Sequence, residues 1–173
     1  MKKITLLLVA GLFSFSTFAQ KEGKDEAQAL VKSGMGKIAN GDYNNAIVDF
    51  NAAIEKDPKN LDAYLKRAFC YGSNSNYDGA IADYTKVIEL KPDNSFAWVS
   101  RGSSKNKLKK YKEAISDFDK AIELKPDDAQ AYFNRGEAKK GLGDADGACK
   151  DWNISKKKGN EEAKIVLKNN HCK

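Results

Sequence analysis

The chain has 173 residues, with 30 lysines and arginines against 24 aspartates and glutamates and a formal net charge of +6. A hydrophobic share of 41% is enough to build a core and excludes a chain that stays unfolded for want of apolar surface. One histidine and three cysteines leave little for acid–base, metal or disulfide-framework chemistry.

In chain order, Met1-Lys2-Lys3, an apolar run from Ile4 to Phe13, and Ser14 to Ala19 form the basic, apolar and small-residue regions of a bacterial-type secretory signal peptide. Thr17-Phe18-Ala19 before Gln20 is the expected cleavage site. The apolar run is shorter than the roughly 20 residues that span a bilayer, and no cysteine stands near the cut to carry a lipid. The expectation is export, to the periplasm or outside the cell, with no transmembrane segment after cleavage and a mature chain starting at Gln20. Residues 20–26 are polar and expected to be flexible.

From residue 27 onward the chain repeats. Pro58, Pro92 and Pro126 are its only prolines and stand 34 residues apart; Ile88-Glu89-Leu90-Lys91-Pro92-Asp93 recurs as Ile122-Glu123-Leu124-Lys125-Pro126-Asp127. With Ala27 as place 1 of a 34-residue frame, place 20 is alanine four times (Ala46, Ala80, Ala114, Ala148) and place 24 always aromatic (Phe50, Tyr84, Phe118, Trp152). Place 8 is small (Gly34, Ala68, Gly102, Gly136) and place 4 large and apolar (Leu30, Tyr64, Trp98, Tyr132). Places 4, 8 and 11 share one stripe of a first helix, and 17, 20, 24 and 27 share one stripe of a second. Asn60, Asn94 and Asp128 are expected to cap first helices, and Asp42, Asn76 and Asp144 second helices. Each proline cuts one unit from the next. On these residues the chain resembles the tetratricopeptide repeat (TPR) family, with repeats at 27–60, 61–94, 95–128 and, more divergent, 129–160. Residues 161–173 are expected to supply a capping helix and tail. The resemblance implies an all-α fold, a right-handed superhelical solenoid of antiparallel helix pairs.

Function in such an array rests on the inner face of the first helices, which the resemblance places at 2, 5, 9 and 12. The candidate partner-binding residues are Val31, Met35, Leu65, Lys66, Phe69, Phe96, Val99, Asn106, Phe133, Asn134 and Lys140. Place 5 is apolar in all four repeats (Val31, Leu65, Val99, Phe133), which fits either a peptide groove or packing against the neighbouring repeat. The family's lysine and asparagine clamp for a terminal carboxylate does not carry over, because Val31 and Met35 stand where its first residues would be. Asp49, Asp83, Asp117 and Asp151 at place 23 recur with Arg67, Arg101 and Arg135 at place 7, as structural pairs within a repeat or with the preceding one; Ser33 replaces the first arginine, so one choice leaves Asp49 unpaired and the other Asp151. Cys149 and Cys172 lie nearly symmetric about the Gly159-Asn160 turn, which is compatible with a disulfide and equally with two free thiols. Cys70 is expected to be a buried inert thiol.

Charge divides along the chain. Residues 20–94 carry ten basic and twelve acidic side chains, and residues 95–173 eighteen and twelve, with Lys105, Lys107, Lys109, Lys110 and Lys112 close together. The aromatics fall on packing places rather than between the lysines, which argues against nucleic acid. Gly141-Leu142-Gly143-Asp144-Ala145-Asp146-Gly147 fits neither a phosphate loop nor a calcium loop, and reads as an inter-helix turn. No catalytic residue, metal site, cofactor or small-molecule substrate is evident. The sequence points to a non-catalytic scaffold or adaptor of the cell envelope that binds a partner peptide or protein, or else to an assembly subunit that docks through its basic half or its array ends.

Overall fold

The computed structural model describes residues 4–172, with side chains described for residues 20–172. The residues read as a signal peptide therefore lie outside the described side chains. Nine α-helices are described: α1 Ile4–Ala39, α2 Tyr43–Lys56, α3 Leu61–Ser73, α4 Tyr77–Leu90, α5 Ser95–Lys107, α6 Tyr111–Leu124, α7 Ala129–Gly141, α8 Ala145–Lys157 and α9 Glu161–Asn169. No described helix is long and apolar enough to cross a membrane.

The chain forms two compact units, residues 1–70 and 71–173. In the first, the bonds between α1 and α2 run in opposite senses along the two helices. Glu26 pairs with Lys56 at 2.5 Å, Ser33 donates to Asp49, and Lys37 reaches the backbone carbonyl of Asn45, so as α1 advances α2 retreats and the pair is antiparallel. Ala27, Val31, Ala46, Phe50, Ala53, Ala63 and Cys70 fill the core. Burial pushes the Cys70 thiol up to about 11, away from the reactive thiolate. Residues 20–26, expected to be loose, are part of α1. A β-carbon on Gly23 would lie 3.1 Å from the Lys56 carbonyl oxygen, so this stretch is held against the end of α2.

In the second unit, α5 pairs with α6, α7 with α8, and α9 with α8. Gly102 meets Phe118 and Gly136 meets Trp152, as Gly34 meets Phe50 in the first unit. A β-carbon at these three glycines would stand 2.5 to 2.7 Å from the ring, so in these three repeats place 8 is glycine because place 24 fills its space. The indole at 152 brings an N–H that has no hydrogen-bond partner, which the phenyl rings at 50 and 118 do not. Cys149 and Cys172 are bonded, their Cα atoms 5.5 Å apart, and with Ala163 and Leu167 buried beside Trp152 this fastens α9 to α8.

Asp42, Asn60, Asn76, Asn94, Asp128 and Asp144 each accept from a backbone N–H two or three residues on, and Asn160 does the same for α9. Each such cap is worth about 1 kcal/mol. The exception among the second helices is α6, whose cap position is Lys110 and makes no side-chain capping bond. The residue just before the cap position of the second helices α2, α4, α6 and α8 has a positive φ: Gly41, Ser75, Lys109 and Gly143 at 76°, 59°, 59° and 84°.

Candidate functional site

The first helices expose their large apolar side chains at particular places. In the first unit Met35 and Phe69 are each 47% exposed, and Phe69 meets the Tyr43 ring edge-on at 6.0 Å. In the second unit Phe96 is 61% exposed. Val31, Val99 and Phe133, expected on the open wall, are instead buried, and Leu65 is half-buried. An apolar residue of alternate role cannot be assigned by period alone: Val31 packs in one buried cluster with Ala27, Val99 with Ala114 and Phe133 with Ala148, so place 5 turns into the core. Lys66 is half-buried, and Lys140 is exposed with its ammonium 5.9 Å from the Trp152 ring centre.

The recurrent arginines bond both ways along the chain. Arg101 donates through Nε and Nη2 to both oxygens of Asp117 in its own repeat, at 3.0 and 2.7 Å, and through Nη1 to Thr85 Oγ1 of the preceding one. Arg135 does the same with Asp151 and, through Nη1, with Asp119. Arg67 donates to Asn51. Hydrogen bonding to Asp151 raises the already high pKa of Arg135 despite partial burial. Each guanidinium also lies over the aromatic ring three residues earlier, with Arg101 4.7 Å from the Trp98 centre. A lysine at place 11 adds a further bond that sequence reading missed: Lys37 to Asp49, Lys105 to Asp117 and Lys139 to Asp151, at 2.7 to 2.9 Å. In the first repeat Ser33 and Lys37 replace the arginine, so neither Asp49 nor Asp151 is left unpaired. These side chains are committed to holding helix pairs together and are not free to clamp a ligand. The lysine recurrence at 37, 105 and 139 was the signal that could have revealed the third partner.

Between α5 and α7, entirely within the second unit, lies a cavity of about 370 Å³. Phe133 forms its apolar part, with Tyr111, whose ring is set against Gly141. The polar part is a chain of hydrogen bonds. Gln130 Nε2 donates to Asn134 Oδ1, Asn134 Nδ2 to Ser103 Oγ, the Ser103 hydroxyl to the Val99 carbonyl, and Asn106 Nδ2 to the Asn134 carbonyl. Asn106 Oδ1 is buried and accepts nothing. A buried acceptor without a donor costs about 1–3 kcal/mol. Glu137 also lines the cavity, and its carboxylate makes no ion pair or hydrogen bond among the described residues; burial raises its carboxyl above the ordinary value, and Lys140 only partly opposes this. Lys107 stands at the rim, exposed. Of the expected site residues, the structure gathers Asn106, Phe133 and Asn134 here. Glu137 was among the inner-face residues but was not singled out.

Of the basic cluster, Lys105 is drawn into the Asp117 pair and Lys110 reaches Asp78 at 3.4 Å. Lys107, Lys109 and Lys112 are exposed without a partner among the described residues.

A TPR repeat family model matches residues 37–75 and 102–143, and a tetratricopeptide repeat model matches residues 61–94. The chain carries tetratricopeptide repeats. The TPR fold is shared with solved structures at low identity. A crystal structure of MamA is 23% identical, over 95% of this chain and 98% of that one, with a TM-score of 0.74. MamA 41-end from Desulfovibrio magneticus RS-1 is 18% identical, over 78% and 76%, with the same TM-score of 0.74. The first TPR of Spaghetti (RPAP3) bound to the HSP90 peptide SRMEEVD is 24% identical, over 69% and 95%, at 0.67. At these identities the likeness concerns fold. No curated protein matches the chain.

Proposed function

We propose that this TPR protein is a non-catalytic interaction scaffold that holds a partner peptide or protein on the inner face of its first helices, after export to the bacterial cell envelope. The observation that carries the reading is where its apolar surface is left open. Six large apolar side chains are exposed among the described residues, and three of them, Met35, Phe69 and Phe96, stand at inner-face places. The helices of Met35 and Phe96 are already held by glycine–aromatic contacts and aspartate ion pairs, and that of Phe69 by the burial of Ala63 and Cys70 and the bond from Arg67 to Asn51, so these exposed side chains are not what anchors their helices. A neighbour of the same fold that is bound to a peptide adds support. The basic, apolar and small-residue order of residues 1–19 supports export.

The test is co-purification from the envelope fraction after cross-linking, with wild type, Phe69→Glu and Phe96→Glu. Both side chains are exposed, so the variants should fold as wild type by circular dichroism and lose the captured partner. Retention of the same partner by both variants would overturn the groove. N-terminal sequencing of the recovered protein should begin at Gln20; a chain beginning at Met1 would remove export from the reading.

A further inference from the structure

Two acceptors at the cavity between α5 and α7 have no donor among the described residues, Asn106 Oδ1 and the Glu137 carboxylate. The cavity's carboxamide and hydroxyl groups hydrogen-bond to one another, with Asn106 Nδ2 drawn to the Asn134 carbonyl and Asn134 Nδ2 to Ser103. That fixes Asn106 with its Oδ1 oxygen as the unused end, because a backbone carbonyl can only accept. Glu137 adds a half-buried carboxylate that forms no ion pair among the described residues, Lys140 acting on it only from a distance. Both groups call for a donor, and the carboxylate calls for a cationic one. Phe133 and Tyr111 supply the flat apolar surface on which a long aliphatic or guanidinium stem can lie.

We propose that this cavity receives an arginine or lysine side chain of the bound partner, its nitrogen donating to the Glu137 carboxylate. The proposal rests on the peptide-binding reading above and sharpens it. It runs against the charge of the region, since residues 95–173 carry eighteen basic and twelve acidic side chains and the basic cluster by itself suggests an acidic partner. The conflict is local: Lys107, at the rim, opposes a cation, whereas Glu137, deeper, attracts it. A long basic side chain passes the first to reach the second. Burial keeps the Glu137 carboxyl above its usual range when empty, and a cation beside it would lower it again.

The opposed charges give the test its sign. Random peptides displayed on phage are selected on the full-length protein, and the affinities of the selected peptides are then measured for wild type, Glu137→Gln and Lys107→Ala. The selected sequences should share an arginine or lysine whose replacement by glutamine weakens binding about tenfold, as expected for a hydrogen bond to a charged group. Glu137→Gln should weaken binding by a similar factor and erase the preference, and Lys107→Ala should tighten it. Peptides with no basic residue in common, affinities unmoved by Glu137→Gln, or the reverse signs that an acidic ligand would give all overturn the proposal while leaving the groove intact. Failure to select any binding peptide overturns both.

Discussion

The hairpins of the first and fourth repeats follow one plan with different side chains. In both, a glycine on the first helix admits an aromatic ring from the second: Gly34 with Phe50, Gly136 with Trp152. In both, an aspartate on the second helix is held by the first, but Asp49 is gripped by a serine and a lysine, whereas Asp151 takes both fork nitrogens of Arg135 and the Lys139 ammonium. Their inner faces diverge at place 9. The first repeat shows the exposed Met35 where the fourth shows Glu137. The contact that joins the two helices is thus kept while the open face is free to vary, because only the former decides whether the pair folds.

The difference in grip should be measurable. Asp151→Ala leaves two partly buried cations without their carboxylate and should cost about 3–5 kcal/mol in urea denaturation. Asp49→Ala strands one half-exposed lysine and a hydroxyl, and should cost about 1–2 kcal/mol, the range for a hydrogen-bonded charge that water can replace. Equal losses would break the comparison. Next in size, Gly34→Ala and Gly136→Ala each force a β-carbon into a ring and should cost about 1–3 kcal/mol by thermal unfolding, although alanine is otherwise the better helix former.

Acid should separate the two ends further. The Asp49 carboxyl is desolvated, which raises it, but its bonds to Lys37 and Ser33 outweigh this and hold it below its ordinary 3.8. Its contribution is therefore complete above that value and lost as the pH falls through the lowered one. Glu137 has the opposite sign: its raised carboxyl makes the ionised form a cost that disappears as the pH falls. Glu137→Gln should thus melt higher than wild type at pH 7 and converge with it in acid, whereas Asp49→Asn should melt lower at pH 7 and converge in acid. Melting curves between pH 7 and 3 check both. The smallest effect is expected at Lys109, whose φ of 59° suits glycine. Lys109→Gly should raise stability by up to about 1 kcal/mol, less the entropy glycine loses on folding.

The proline period, the small and aromatic places and the capping residues were all legible in the sequence, because each is imposed by local geometry on every repeat. The partners of the arginines were not, since Asp117 and Thr85 lie the same sixteen residues to either side of Arg101 and only coordinates show that it takes both. The inner face was half legible. Met35, Phe69 and Phe96 could be placed there by frame, but Val31, Val99 and Phe133 have the same apolar character and are buried. The cavity escaped sequence reading because its property is a missing donor. Composition records that Asn106 and Glu137 are polar; that Asn106 Oδ1 has no donor among the described residues depends on which way Asn106 is turned by Asn134.

The arginine bonds also constrain how this array can grow. Arg135 reaches sixteen residues forward to Asp151 and sixteen back to Asp119, so every link is defined by an offset from its own position rather than by a unique partner. A tandem duplication of one whole period would arrive already wired at both of its junctions, whereas the gain or loss of a few residues inside a repeat would unhook one neighbour or the other. Lengthening in whole multiples of 34 is the change such a ladder tolerates.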